Sequence, residues 1–247
     1  MDIALGKQLF SCIDHTTLNA TDNEKSVEAF CCRALEFGEP SVAAVCVYPR
    51  FVAIAKKALR NSSIKVASVA GAFPHGQLPL KLKVEEVKYV VNEGADEVDI
   101  VLNRGALLAG DYTRVRDEVA MMKEACQGNT LKVILETGEI PSLDMIRKAS
   151  ELAIEGGADF IKTSTGKIAT GATFEAAEMM LQVIADYVKI NKRIVGFKAA
   201  GGVSTPEQAV EYARLAQKYI GEYYIDKQYF RIGTSRLTEA LFSLLTN

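Results

Sequence analysis

The sequence predicts an α/β protein folded as one closed (β/α)8 TIM barrel, a single domain over residues 1–247. Three observations carry that reading. Eight short β-branched runs recur along the chain, and stretches whose apolar residues fall three and four apart lie between them. The length of 247 residues suits one such barrel, which commonly fills about 250. Near-continuous apolar strands alternating with helices imply a parallel sheet covered on both faces. An open doubly wound sheet meets the same pattern and stays as the alternative.

Taken in order, the first strand is expected in "LFSCID" (9–14), and the pair Cys31 and Cys32 falls in a helical stretch that reads as packing. "VAAVCVY" (42–48) gives the second strand and "PRFVAIAKKALR" (49–60) the helix after it. "IKVASVAG" (64–71) is the third strand, followed by the amphipathic "LKLKVEEVKYVVNEG" (80–94). "DEVDIVL" (96–102) and "LKVILETG" (131–138) are strands four and five, and "SLDMIRKASELAIEGG" (142–157) is a helix. "DFIKTS" (159–164), the helix "TFEAAEMMLQVIADYVKI" (173–190), "RIVGFKAAGG" (193–202) and "YFRIGTS" (229–235) complete the series. "NEGADEVDI" and "EGGADFIKT" resemble a half-repeat, a helix end followed by glycine and a strand. The run "KYIGEYYIDKQYF" is expected to pack ahead of strand eight with its charges solvated. No Pro/Ser-rich linker or low-complexity tract divides the chain.

Composition narrows the function classes. With 49% apolar and 24% charged residues the chain has material for a large core. Its 29 basic and 31 acidic residues give a net charge of −2, no broad electrostatic reason to expect nucleic acid or an anionic membrane. Five cysteines, with no CxxC pair, argue against a disulfide framework. The opening "MDIALGKQLFSCIDH" carries an early aspartate and no basic segment leading into a long apolar core, so a cytoplasmic location is expected.

Chemistry in a barrel sits where strands end, at the C-terminal face. Asp14 and Thr16, Cys46, Asp99, Glu136, Lys162 and Lys198 all fall there. Strand alternation adds a constraint: if Lys162 points inward so does Phe160, and if Asp99 does so do Glu97 and Val101. A single lysine at a strand end is ordinarily read as half of an ion pair. Two lysines facing each other are different, because like charge penalises each ammonium group. An ordinary lysine with a pKa of about 10.4 is neutral in roughly one molecule in 2,500 at pH 7, whereas a pKa of about 7 leaves half of it neutral. Lys198 can supply that shift to Lys162. A neutral Lys162 amine would attack an aldehyde or ketone to form an iminium ion, with Asp99 moving protons directly or through water.

The loops supply a second constellation. Gly166 and Lys167 follow strand six, Gly201 and Gly202 precede a helix start, and "GTSRL" opens the last helix. Glycines let backbone N–H groups approach an anion, and the loops after strands seven and eight are a recurrent phosphate site of barrels. Thr205, Pro206 and Gln208 also read as a plain helix cap, and both readings can hold at once.

These motifs, "DHTTLN", "AAVCVYPRFV", "FPHG", "GADEVDIVLNRGAL", "KVILETGE", "GADFIKTSTGK" and "GFKAAGGV", resemble in order, over almost the whole chain, those of deoxyribose-phosphate aldolase. That is a class I aldolase family cleaving 2-deoxy-D-ribose 5-phosphate to glyceraldehyde 3-phosphate and acetaldehyde in deoxynucleoside catabolism. The resemblance implies a sugar-phosphate substrate and no cofactor. It makes Lys162 the Schiff-base lysine, Lys198 the lysine perturbing it, Asp99 the proton-transfer residue and Lys167 the phosphate-side lysine. It further implies that Asp14, Thr16 and Cys46 line the substrate pocket, and that Gly166, Gly201, Gly202, Gly233 and Ser235 help hold phosphate. The chain departs from some relatives at Ser204, where they carry arginine, and at "TSR" (234–236), where they carry two serines. Some relatives also end in a tyrosine that assists proton transfer; here the sequence reads "LFSLLTN", so that role is expected to be absent or filled by water. Oligomeric state is not legible, and a homo-oligomer stays open.

Competing readings are weaker. Only His15 and His75 are available for a nucleophilic Cys46 or for a metal-dependent aldolase, so Cys46 reads as a pocket-wall thiol and no metal is expected. His75 reads as a loop hydrogen bonder. A barrel isomerase or a sugar-phosphate binder could use the glycine loops, yet neither needs two close lysines.

Overall fold

The computed structural model describes residues 2–246. Helix α1 (Ile3–Ser11) leads into β1 (Ile13–Thr16), followed by α2 (Glu24–Glu36), β2 (Ala44–Val47), α3 (Val52–Leu59), β3 (Lys65–Ala70) and α4 (Leu80–Asn92). Then come β4 (Glu97–Val101), α5 (Arg104–Leu108), α6 (Tyr112–Ala125), β5 (Thr130–Ile134), α7 (Leu143–Glu155) and β6 (Phe160–Lys162). The chain continues through α8 (Phe174–Asn191), β7 (Gly196–Ala200), α9 (Pro206–Ile220), β8 (Phe230–Thr234) and α10 (Leu237–Thr246). Each strand pairs in parallel with the next, and β1 also pairs with β8, so the sheet closes into an eight-stranded barrel. That closure removes the open-sheet alternative.

Helix starts are written locally. Asn23 and Thr205 form capping boxes with Ser26 and Gln208 at the heads of α2 and α9, and Pro206 takes the first turn of α9, where a missing N–H costs nothing. Ser142 and Thr173 cap α7 and α8 through their hydroxyls. One expectation needs correction: in "LFSCID", residues 9–11 end α1 and only Ile13 and Asp14 belong to the strand. Asp2 caps α1, which carries the buried Leu9 and Phe10 and ends at Ser11 with only Cys12 before the strand, so helix end and strand merge into one mostly apolar run. The segment before β8 behaves as expected. Tyr224 is buried with its hydroxyl donating to the Val195 carbonyl at 2.6 Å, while Asp226 and Lys227 are exposed.

Most apolar burial lies between the sheet and the helices, and each large side chain buried there contributes about 1.5–3 kcal/mol. The barrel interior is divided. Ala44, Cys46, Ala67 and Val69 form a small apolar cluster with Leu18 on one side, and β4 to β8 present charge on the other. Phe160 faces inward, with the Arg231 guanidinium 5.6 Å from its ring centroid. Gly196 makes the room, since a Cβ there would sit 2.3 Å from that ring.

Candidate active site

The inward alternation of β4 to β8 and β1 brings seven ionisable side chains together inside the barrel. Three are carboxylates, Asp14, Glu97 and Asp99, and four are bases, Lys132, Lys162, Lys198 and Arg231. All are at least 95% buried. Arg231 bridges Asp14 at 2.6 Å and grips Glu97 with both terminal nitrogens at 3.0 and 2.7 Å. Lys132 reaches Glu97 at 2.6 Å, Asp99 at 2.8 Å and Asp14 at 3.5 Å. Lys198 donates to Asp14 and, at 2.8 Å, to Oδ2 of Asp99. Lys162 has one carboxylate partner, the same Oδ2 at 2.8 Å.

Charge balance follows from that count. Three buried carboxylates neutralise three of the four bases, and an uncompensated buried charge is costly. The proton is lost most easily from the base with the fewest anionic contacts, Lys162. Its pKa is accordingly lowered, first by burial and then by Lys198 against the pull of Asp99. Lys198 moves the other way: burial disfavours its charge, but Asp14 and Asp99 hold it above the ordinary range. Lys132 is raised against burial by Asp99, Glu97 and Asp14. Burial also opposes ionisation of Asp99, yet Lys132, Lys162 and Lys198 together keep its carboxyl well below the usual carboxylate range. Asp99 is therefore ionised, its Oδ2 bridging the nitrogens of Lys162 and Lys198 while Lys132 holds its Oδ1.

Above this layer the C-terminal loops enclose an open pocket of about 360 Å³. Lys162 is the only member of the charge network in its lining. Thr16, Leu18 and Asn19 line it from β1, Thr165, Gly166 and Lys167 from β6, Gly201, Gly202 and Ser204 from β7, and Gly233, Ser235 and Arg236 from β8. Gly166, Gly201 and Gly202 take φ of 74°, 87° and 86°, a region only glycine enters without strain. Gly233 serves closeness instead, because a Cβ there would stand 2.9 Å from Cε of Lys198. The Lys167 ammonium donates to the Leu18 carbonyl and ties the β6 loop to the β1 loop. Thr234 joins the last two loops by donating to the Val203 carbonyl at 2.9 Å.

The residues singled out in the sequence thus divide into levels. Thr16, Lys162, Gly166, Lys167, Gly201, Gly202, Gly233 and Ser235 face the pocket, whereas Asp14, Cys46, Asp99 and Lys198 lie beneath it and outside its lining. Burial pushes the Cys46 thiol up to about 11, so it stays protonated at neutral pH. The cap reading of Gln208 also holds, since its side-chain oxygen accepts from the N–H groups of Ser204 and Thr205 at 2.9 and 3.2 Å. Two members of the network, Lys132 and Arg231, go unnoticed in the sequence. The signal was there, a charge inside an apolar strand run. Among the described residues no group of three or more His, Cys, Asp or Glu side chains is disposed to hold a metal ion, and no helix is long and apolar enough to cross a membrane.

Comparison with known proteins bears on the family and the fold. The family model "DeoC/LacD family aldolase" matches residues 9–234. Among solved structures, the aldolase QR15 is 32% identical, with 96% of each chain covered and a TM-score of 0.80. A candidate deoxyribose-phosphate aldolase from Coccidioides immitis is 30% identical over 96% of this chain and 86% of its own, with a TM-score of 0.83. The deoxyribose phosphate aldolase from Aeropyrum pernix, described as a tetramer, is 26% identical over 98% of this chain and 92% of its own, with a TM-score of 0.77.

Proposed function

The chain belongs to the DeoC/LacD aldolase family, and on that premise we propose that it is a class I deoxyribose-phosphate aldolase working through a Schiff base on Lys162. The observation that carries this reading is the isolation of Lys162. It is the one base in a network of four with a single carboxylate contact, and the one that opens into the pocket.

In the cleavage direction the neutral Nζ of Lys162 attacks C1 of open-chain 2-deoxyribose 5-phosphate. The carbinolamine loses water to give an iminium ion. A base removes the proton of the C3 hydroxyl, the C2–C3 bond breaks, and its electron pair flows to the iminium nitrogen, releasing glyceraldehyde 3-phosphate and leaving an enamine. Protonation of the enamine carbon and hydrolysis then free acetaldehyde and the amine. Lys198 and Asp99 have two roles in this scheme. Burial first, and then the positive charge of Lys198, favour the neutral form of the resting Lys162 amine, and Asp99, 2.8 Å from both nitrogens, passes protons between them and to water.

The phosphate would lie against Gly166, Gly201, Gly202, Gly233 and Ser235, with the cations of Lys167 and Arg236 beside it. Asp14 would act from below through Lys198, Thr16 would border the aldehyde end, and Cys46 would back it from beneath the pocket. All five cysteines are free, which suits a reducing compartment, and we assign the reaction to deoxynucleoside catabolism in the cytoplasm.

The test is borohydride reduction in the presence of deoxyribose 5-phosphate, followed by peptide mapping. A reduced adduct at Lys162, with release of glyceraldehyde 3-phosphate in the unreduced reaction, is expected. An adduct at Lys167 or Lys198, or turnover with no trappable adduct, would overturn the assignment.

A further inference from the structure

Glu136 stands two residues beyond β5 with φ 58° and ψ 60°, the left-handed region that a residue with a Cβ enters only under constraint. It opens a short 3-10 turn without capping it through its side chain. Its carboxylate is fully buried and its bonds are all directed at the loop behind β6. The Thr165 N–H donates to Oε1 at 3.1 Å and the Thr165 hydroxyl donates to Oε2. The same hydroxyl oxygen accepts from the Lys167 N–H at 3.1 Å. On the far side Arg104 stands 4.0 Å from the carboxylate, binds Glu139 at 2.7 Å and donates to the carbonyl of Pro74 at 3.4 Å. Gly138 lets the two loops meet, because a Cβ there would fall 2.4 Å from the Thr170 carbonyl oxygen.

A strained backbone persists only where its surroundings hold it, and here what the strain secures is an acid aimed at the segment joining Lys162 to Lys167. We propose that Glu136 is a positioning residue for the phosphate end of the substrate. It fixes Thr165, and through Thr165 it sets Gly166 and Lys167 in the pocket wall without touching substrate. This rests on the aldolase reading above, and the experiment is chosen so that the two can fail separately.

Three variants decide it: Glu136→Gln, Glu136→Ala and Glu136→Gly. Amide hydrogen exchange is read at Thr165 and Lys167, and kinetics are read with deoxyribose 5-phosphate and with unphosphorylated deoxyribose. Removing the two charge-assisted bonds should speed exchange at both amides by about tenfold or more and raise KM for the phosphorylated sugar by a similar factor. kcat/KM for deoxyribose should change less than about threefold. Glu136→Gln, which keeps one acceptor, should fall between. Glu136→Gly should be more stable than Glu136→Ala, because glycine accepts the left-handed backbone, and yet be no better in KM. Unchanged exchange at Thr165 and Lys167, or equal losses on both sugars, would overturn the proposal. Equal kcat/KM of the unsubstituted protein on the two sugars would instead sink the phosphate reading of the pocket, and the exchange rates would then judge the clamp alone.

Discussion

Lys162 and Lys198 donate to one oxygen, Oδ2 of Asp99, each at 2.8 Å. Two ammonium groups that share an acceptor lie within two hydrogen-bond lengths of each other, so protonating both is opposed. The lowered pKa of Lys162 means that activity should rise as pH increases through that value. Lys198→Leu removes the opposing charge and also frees Asp99 to attract a proton onto Lys162. Both effects raise the pKa of Lys162, and the alkaline rise of kcat/KM should move up by about one pH unit or more. An unshifted profile in a folded Lys198→Leu protein would falsify this pairing.

The same arrangement makes Lys162 a stability liability. A base whose folded pKa is depressed is protonated more readily in the unfolded chain, so between the folded and unfolded values stability grows with pH and the penalty is greatest below both. Lys162→Met should therefore unfold at a higher temperature than the parent at pH 7. At this chain length a gain of about 1 kcal/mol would appear as roughly 2–4 °C. A melting temperature equal to or below the parent's would argue that Lys162 is held as a fully compensated cation.

Lys132 has the opposite character. Its ammonium touches Asp99, Glu97 and Asp14, and no other lysine serves all three. Lys132→Met leaves carboxylates buried without their partner, a change that typically costs about 3–5 kcal/mol. Denaturant unfolding should show that loss. Lys162 should also become harder to deprotonate, because Asp99 turns its uncompensated charge on the remaining lysines. A near-neutral change in stability would show that Arg231 and Lys198 suffice.

How much of this was legible in the sequence depended on whether a signal was local. The barrel was legible because eight β-branched runs and their amphipathic spacers need no tertiary information, and Phe160 followed from Lys162 by simple alternation. Lys162, Lys198 and Asp99 stood out because each is a charge within or closing an apolar strand run. Lys132 and Arg231 carry the same charge signal inside their strands, but what they do is decided by which strands meet across the barrel, a long-range fact. The depth of Asp14 and Cys46 beneath the pocket has the same cause. The merged run at residues 9–14 misled for the reverse reason, since a helix end and a strand start separated by one residue leave no punctuation.

The phosphate end can be tested without altering the amine. Deoxyribose lacking its phosphate should show a much lower kcat/KM, since remote binding energy is lost. Lys167→Ala and Arg236→Ser should each raise KM for the phosphorylated sugar by about tenfold or more, the loss of one charged hydrogen bond, with kcat changed less. Because both cations line the pocket while Ser204 stands at the neighbouring loop, Ser204→Arg in the Arg236→Ser background should restore part of the loss. No rescue, with KM unmoved in both single variants, would place the phosphate elsewhere.

Acid sensitivity should come from His15, on the outer side of β1. Its ring stacks on Phe30 with centroids 3.9 Å apart, and its Nδ1 meets the Thr238 hydroxyl at 2.9 Å, so the imidazole sits in an apolar sandwich between β1, α2 and α10. Burial lowers its pKa to about 4, with Glu239 pulling the other way and Arg33 adding to the lowering. The unfolded chain, with an ordinary histidine pKa of about 6.5, therefore binds the proton first as pH falls. The stability from a neutral His15 is complete above about pH 6.5 and is lost progressively down to about pH 4, a span of about 3 kcal/mol. Substituting His15→Gln, which cannot titrate, should lower stability at pH 7 yet flatten its decline between pH 6.5 and 4. The check is denaturant unfolding of parent and variant across that range: parallel curves would show that carboxylates such as Asp14 and Glu97, rather than His15, set the acid limit.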